Sequence, residues 1–102
     1  MGGEKVFPRE VEEVMYKHPA VADAVLIPQA DAKLGEIPVA VVVPRPGATV
    51  SEQDIKDYIG ERLARFKVPR RVYILAQVPR NPMGKILKKE LVKMLAEGRL
   101  GA

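Results

Sequence analysis

Cysteine is missing from the 102-residue sequence, and four other residue types occur once each, as His18, Thr49, Ser51 and Asn81. The lack of cysteine excludes disulfides, thiolate zinc sites and cysteine nucleophiles, and it is typical of a reducing compartment. A Ser-His-Asp triad would need the only serine and the only histidine, and a metal site with several histidine ligands is excluded. We therefore expect the chemistry to rest on lysine, arginine, carboxylates or the backbone, and we predict no metal site.

Long apolar runs are also lacking, since none approaches the ~20 residues that span a bilayer. The N-terminus has no basic segment followed by an apolar stretch, so no signal peptide is expected. These features together predict a cytoplasmic protein without a transmembrane segment. The contents of 47% hydrophobic and 29% charged residues are typical of a globular domain. A chain of 102 residues is long enough for one domain with a core, but not for two.

The charge is unevenly distributed along the chain. Residues 1–59 carry 6 basic and 10 acidic side chains, a net charge of −4, whereas residues 60–102 carry 11 basic and 3 acidic ones, a net charge of +8. A basic half is typical of a protein that meets nucleic acid, a membrane surface or a phosphorylated small molecule. From charge alone, a solvated lysine-rich face is the simpler explanation.

The apolar pattern predicts three helices and three strands. The first helix begins at Pro8, the second is capped by Ser51, and the third runs from about Lys85 to Glu97. Residues 21–27, 38–43 and 72–76 read as strands, and the loop between the first two is too short for a helical crossover, so they should pair antiparallel. The sequence thus predicts an α+β fold: a small, mostly antiparallel sheet of about three strands, with a short N-terminal hairpin as a further element, covered by three helices.

The proline-rich segment before Lys85 is the most unusual part of the sequence. Two prolines stiffen it, and Gly84 permits backbone angles that other residues resist. A lysine at the start of the predicted third helix opposes the helix dipole, and its charge suits a phosphate or carboxylate supplied from elsewhere. An exposed lysine beside a proline turn explains the pattern equally well. A P-loop is excluded because Ile86, not serine or threonine, follows the Gly-Lys pair.

Two other stretches could meet a ligand. The adjacent glycines Gly2 and Gly3 let a backbone pass close to a narrow ligand, although a frayed terminus is an equally simple explanation. Residues 65–71 hold four cations around Phe66, and we interpret them as a charged helix end rather than as a phosphate site. Glu12 and Glu13 do not share a helix face, so they form a poor acid–base pair.

Taken in order, these stretches resemble the C-terminal domain of the adenylate-forming acyl-CoA synthetases, the superfamily that also holds peptide-synthetase adenylation domains and firefly luciferase. The matching segments are GGEKVFPREVE at 2–12, HPAV at 18–21, GEIP at 35–38, FKVP at 66–69 and PRNPMGKI at 79–86. The resemblance covers residues 2–95 and is strongest to fatty-acyl-CoA synthetases. Met83 stands where many relatives have serine or threonine, and Lys5 where others have asparagine or glutamine.

The resemblance implies a ligase reaction in two steps. A carboxylic acid and ATP give an acyl-adenylate and pyrophosphate, and coenzyme A then displaces AMP to leave a thioester. Residues 1–102 would form the mobile C-terminal lid of a long-chain or medium-chain fatty acid–CoA ligase, presenting one face for each step. The large N-terminal domain lies outside this sequence. It would bind ATP and the acid and would supply most of the ligands of Mg²⁺. The fragment alone is therefore expected to be inactive.

The resemblance also implies roles for individual residues. Lys85 matches the lysine that bridges the acyl carboxylate and the α-phosphate of ATP during adenylation, with Gly84 as the hinge of its loop. Lys67 is a candidate phosphate contact. The loop that faces the pantetheine channel in the thioester step is matched by Gly2, Gly3, Glu4 and Lys5.

Two other classes of function stay open at this point. A basic RNA-binding domain fits the charge of the C-terminal half, but the five aromatic residues are scattered and no G-x-x-G clamp is present. A protein-docking module without catalysis is the other alternative. Among ligases, these residues fit either coenzyme A or a carrier-protein thiol as the acceptor.

Overall fold

The computed structural model describes residues 7–98. In chain order its elements are α1 (Pro8–Tyr16), β1 (Val21–Asp31), β2 (Gly35–Pro44), α2 (Glu52–Gly60), a 3₁₀ helix (Arg65–Lys67), β3 (Arg71–Ile74) and α3 (Lys88–Ala96). No helix in this part of the chain is long and apolar enough to span a membrane. The predicted N-terminal hairpin falls on the first residues, outside the described range.

The three strands form one sheet in the order β1-β2-β3. β1 and β2 pair antiparallel as predicted, from Val21 opposite Pro44 to Asp31 opposite Gly35. Both strands are longer than predicted, because the Asp31 carboxylate accepts hydrogen bonds from two backbone N–H groups of the turn and closes the hairpin tightly. β3 pairs parallel with β2, since α2 carries the chain across one face of the sheet between them. The α+β fold with a mostly antiparallel sheet is confirmed.

Both faces of the sheet are covered by helices, which explains why the strands are almost continuously apolar. On one face, Val11 and Met15 of α1 and Ile55 and Ile59 of α2 pack in one buried cluster with strand residues. On the other face, Leu91 of α3 packs in a second cluster with Val25, Ile27, Val39 and Val41. Leu91 is fully buried, and it is the one α3 residue that belongs to the buried core.

The second helix begins where the sequence predicts. The Ser51 hydroxyl accepts a hydrogen bond from the Asp54 N–H at 3.0 Å, and the Asp54 carboxylate accepts one from the Ser51 N–H at 3.0 Å. This reciprocal pair is a capping box, so the only serine stabilises a helix start. α2 ends at Gly60, and the cationic segment 65–71, which we interpreted as a charged helix end, begins with a separate 3₁₀ helix whose last turn holds Arg65 and Lys67.

The third helix begins at Lys88, three residues later than predicted. The preceding residues are held in a non-helical arrangement, because Arg80 and Ile86 form an isolated antiparallel bridge and the Leu87 N–H donates to the Pro79 carbonyl at 2.9 Å. Lys85 therefore lies in a loop and not at a helix start. The argument that it opposes the helix dipole is wrong, and its placement needs another explanation.

Each outer edge of the sheet meets a glutamate from a covering helix. At the β1 edge, the Leu26 N–H donates to the Glu12 carboxylate at 2.8 Å, and the Lys88 ammonium lies 2.6 Å from the same oxygen. At the β3 edge, the Val72 N–H donates to the Glu52 carboxylate at 3.0 Å. This hydrogen bond is the main reason that the pKa of Glu52 is below its ordinary value. The two glutamates occupy edge N–H groups to which another strand could otherwise bind.

Candidate functional site

The candidate site is built on residues 79–87, which we call the lysine loop. Asn81 organises it: its side-chain oxygen accepts hydrogen bonds from the N–H groups of Met83 and Lys85, both at 2.9 Å. The Asn81 N–H donates to the Lys85 carbonyl, and the Gly84 N–H donates to the Asn81 carbonyl, again at 2.9 Å. The loop thus carries a tight turn that places Lys85 directly after its tip.

Gly84 has a φ of 88°, in the left-handed region that favours glycine. A Cβ at this position would meet nothing within 4 Å, so the requirement for glycine comes from the backbone angle and not from space. The angle explains why glycine stands here, and the role of Gly84 as the hinge of the loop stays a prediction. Next to it, the Met83 side chain is 92% exposed.

The Lys85 side chain is exposed, and within residues 7–98 its ammonium forms no ion pair. It borders an open groove of about 500 Å³ between the lysine loop and the first turn of α3, which also presents Lys89 and Glu90. An unpaired ammonium on a loop of fixed geometry can approach an anionic ligand without first breaking an ion pair. Lys85 therefore has the accessibility that a phosphate or carboxylate contact requires.

Arg80 connects the tip of the lysine loop to the sheet. Its Nη1 donates to the Gly84 carbonyl at 2.6 Å, and its Nη2 lies 2.5 Å from the Asp23 carboxylate. The hydrogen bond to Asp23 is the main reason that the pKa of Arg80 is raised. Asp23 lies in β1 where the register with β2 shifts, and its other oxygen accepts a hydrogen bond from the Tyr16 hydroxyl at 3.4 Å. Burial is the main reason that the pKa of Tyr16 is also raised.

The sequence analysis missed this link between Arg80 and Asp23. The two residues are far apart in the chain, so spacing gives no indication that they meet. One signal was available, because Asp23 is the only charged residue in the otherwise apolar stretch 21–27. A charge in a strand that is covered on both faces needs a partner.

Lys67 forms its ion pair with a residue outside the lysine loop. Its ammonium is 2.7 Å from the Glu10 carboxylate in the first turn of α1. It also lies 5.8 Å from the centre of the Phe66 ring. The structure thus shows Lys67 joining the 3₁₀ helix to α1, and its phosphate contact stays a prediction.

The other residues singled out from the sequence have mainly structural partners. His18 accepts a hydrogen bond from the Ala20 N–H at 3.0 Å and packs against the Tyr58 ring, with 4.8 Å between ring centres. Gly2, Gly3, Glu4 and Lys5 lie outside the described residues, so their role in a pantetheine channel also stays a prediction. In residues 7–98 no group of three or more acidic or histidine side chains could hold a metal ion.

Comparison with known families gives a match that spans most of the chain. Residues 10–85 match the family model described as AMP-binding enzyme C-terminal domain. The match begins within α1, includes the whole sheet, α2 and the lysine loop as far as Lys85, and ends before α3.

Individual proteins show the same relationship. The chain is 41% identical over 96 residues to 4-coumarate–CoA ligase 1 of Solanum tuberosum, covering 94% of this chain and 18% of that protein. It is 42% identical over 96 residues to 2-succinylbenzoate–CoA ligase of Bacillus cereus, covering 94% of this chain and 20% of that protein. The solved structure of a Mycobacterium tuberculosis fatty acyl CoA synthetase superimposes with a TM-score of 0.86 and 44% identity, covering 95% of this chain and 19% of that one. The chain therefore spans about a fifth of the length of these relatives.

Proposed function

We propose that this chain, which belongs to the AMP-binding enzyme C-terminal domain family, is the C-terminal lid of an ATP-dependent, AMP-forming acid–CoA ligase. The observation that carries this proposal is the exposed Lys85, whose ammonium forms no ion pair within residues 7–98, on a loop whose shape is fixed by hydrogen bonds. The short span of the chain relative to its ligase relatives supports a partner domain that precedes it in the full-length protein. We propose residues 1–102 as one domain and the adenylation domain as its partner.

In the proposed adenylation step, the acid carboxylate attacks the α-phosphorus of ATP. A new bond forms between the carboxylate oxygen and phosphorus, and the bond to the β-phosphate oxygen breaks to release pyrophosphate. The Lys85 ammonium lies between the attacking carboxylate and the α-phosphate oxygens, where it offsets the negative charge that the two anions bring together. Removal of one such preorganised donor lowers kcat by ~100- to 1000-fold in enzymes of known mechanism.

Mg²⁺ and coenzyme A would bind away from the lysine loop. Mg²⁺ would accompany ATP on the partner domain, where the resemblance to these ligases implies the nucleotide binds. Coenzyme A, as the acceptor in the second step, would pass the segment formed by Gly2, Gly3, Glu4 and Lys5. Lys67 would reach a phosphate only after giving up its ion pair with Glu10.

The acid is a separate part of the proposal. A fatty acid is supported by the similarity to a fatty acyl CoA synthetase, but relatives named for coumarate and succinylbenzoate are 41% and 42% identical to this chain. A panel of a fatty acid, a hydroxycinnamic acid and a succinylbenzoate, offered to the full-length enzyme with ATP and coenzyme A, identifies the class. Preference for either aromatic acid would overturn the fatty-acid assignment, but the ligase assignment would remain.

The proposal is tested on the full-length enzyme with Lys85→Ala, by measuring the two half-reactions separately. Adenylation is followed by pyrophosphate release from ATP and the acid, and thioester formation is followed from preformed acyl-adenylate and coenzyme A. Lys93→Ala is the matched control, because Lys93 is an exposed lysine on α3 that does not line the groove beside Lys85.

We expect Lys85→Ala to lower the adenylation rate by ~100- to 1000-fold and to leave the thioester step close to the wild-type rate. Lys93→Ala should change neither rate. Equal loss of both half-reactions in Lys85→Ala, or no loss in either, would contradict the proposed role. The 102-residue chain alone should release no pyrophosphate from ATP, and turnover by it would contradict the assignment as a lid.

A further inference from the structure

We propose that Arg80 is a positioning residue for Lys85, held in place by Asp23 of β1, and this inference rests on the proposed function of Lys85. Nothing in the similarity to ligases assigns a role to either residue in this chain. The observation behind it is that the peptide unit preceding Lys85 is held through both of its polar groups. Its carbonyl, from Gly84, accepts from the Arg80 guanidinium at 2.6 Å, and its N–H, from Lys85, donates to the Asn81 side chain at 2.9 Å.

The orientation of this peptide unit sets the direction in which the Lys85 side chain leaves the backbone. Asn81 lies within the same turn and can hold only the internal shape of the loop. Arg80 differs, because its second hydrogen bond goes to Asp23 and so ties the loop to the sheet. The guanidinium thus fixes Gly84, the residue directly before Lys85, relative to β1.

The base and the tip of the lysine loop are held by different means. At the base, Ile86 packs against the buried cluster under α3, and the Leu87 N–H donates to the Pro79 carbonyl. At the tip, Pro82, Met83 and Gly84 are exposed, and the hydrogen bonds of Arg80 and Asn81 hold the backbone. Loss of Arg80 should therefore loosen the tip and leave the core intact.

Asp23 is suited to anchor Arg80. The register shift between Val21 and Asp23 marks an irregularity in the strand, which places a charged side chain at the margin of an apolar sheet. Its two oxygens have separate partners, the Tyr16 hydroxyl on α1 and the Arg80 guanidinium. The carboxylate is accordingly contacted from the α1 side as well as by Arg80.

The test uses the full-length enzyme and the two half-reactions, with the variants Arg80→Ala, Arg80→Lys, Asp23→Asn and the double variant Arg80→Ala/Asp23→Asn. Arg62→Ala is the matched control. Arg62 is exposed to a similar extent (42% against 39%), and it also pairs with a carboxylate and donates to a backbone carbonyl, that of Tyr58 at 2.9 Å. It lies just beyond α2, outside the lysine loop.

We expect Arg80→Ala to lower kcat for adenylation by about 10- to 100-fold, with little change in KM, because a misplacement of about 1 Å can reduce a rate by two orders of magnitude. The thioester step should be unchanged. Arg80→Lys should retain an intermediate rate, since one ammonium cannot reproduce the fork of two N–H groups. Asp23→Asn should show a smaller loss, and the double variant should lose no more than Arg80→Ala alone, because Asp23 acts through Arg80.

Three results would overturn the inference. Equal losses in both half-reactions would show that Arg80 only stabilises the fold, and full adenylation activity in Arg80→Ala would show that Lys85 does not need it. Additive losses in the double variant would show that Asp23 acts by another route. If Lys85→Ala itself keeps full adenylation activity, the proposed function fails too. Loss in Lys85→Ala with none in Arg80→Ala refutes the positioning role alone.

Discussion

Substitution of Glu12 should lower the free energy of unfolding, because this side chain holds three parts of the fold together. One carboxylate oxygen accepts the Leu26 N–H at 2.8 Å and lies 2.6 Å from the Lys88 ammonium, so it joins α1, the β1 edge and α3. The Glu12 side chain is only 18% exposed, and Leu26 is 4% exposed. Removal of the carboxylate therefore leaves the Leu26 N–H at the sheet edge without its charged acceptor.

The free energy of unfolding should fall by about 1.5–3 kcal/mol in Glu12→Ala, because this is the contribution of a hydrogen bond to a charged group. Lys88 is 43% exposed, so its ion pair is worth less. Lys88→Ala should lower the free energy of unfolding by only ~0.2–1 kcal/mol. The larger part of the effect of Glu12 thus comes from the strand edge and not from the ion pair.

Urea denaturation of the 102-residue chain, followed by circular dichroism, measures these differences. Glu13→Ala is the matched control, because Glu13 is the exposed neighbour on the same helix and no ion pair or side-chain hydrogen bond involves it among the described residues. It should stay within ~0.5 kcal/mol of the wild type. Two outcomes would refute the reasoning: a loss in Glu12→Ala no larger than that in Glu13→Ala, or a loss in Lys88→Ala as large as that in Glu12→Ala.

Two further substitutions test the core and the other sheet edge. Leu91→Ala should lower the free energy of unfolding by ~2–5 kcal/mol, because the fully buried Leu91 fixes α3 to the sheet; the same denaturation assay measures it, and a loss below ~1 kcal/mol would contradict the packing. Glu52→Gln should flatten the acid side of a stability–pH profile. The lowered pKa of Glu52 adds stability above its ordinary value of 4.5, and this stability is lost as the pH falls through the lower, folded-state pKa. An unchanged acid side would contradict the Val72 hydrogen bond.

Local signals predicted some parts of the structure well. The capping box at Ser51 depends on contacts three residues apart, so the sequence reveals it directly. The antiparallel pairing of β1 and β2 follows from the short connection between them. The two prolines and Gly84 predicted the lysine loop, and the family resemblance implied the role of Lys85, which stays a prediction.

The features that the sequence did not predict depend on contacts between residues that are distant in the chain. The apolar spacing that predicts α3 continues back through the lysine loop, but the hydrogen bond from Leu87 to Pro79 delays the helix to Lys88. The hydrogen bonds of Glu12 and Arg80 join segments that spacing cannot relate. The sequence predicted Lys85 and its glycine, but the connection of their loop to the sheet needed the fold.

The second buried cluster has a practical consequence for where the chain is cut. The family match ends at Lys85, whereas Leu91, which closes one face of the sheet, lies beyond that limit. A shorter protein ending at the match would expose Val25, Ile27, Val39 and Val41 to solvent together. An uncovered apolar face of this kind favours aggregation. Expression of this domain for biophysical work should therefore include all of α3.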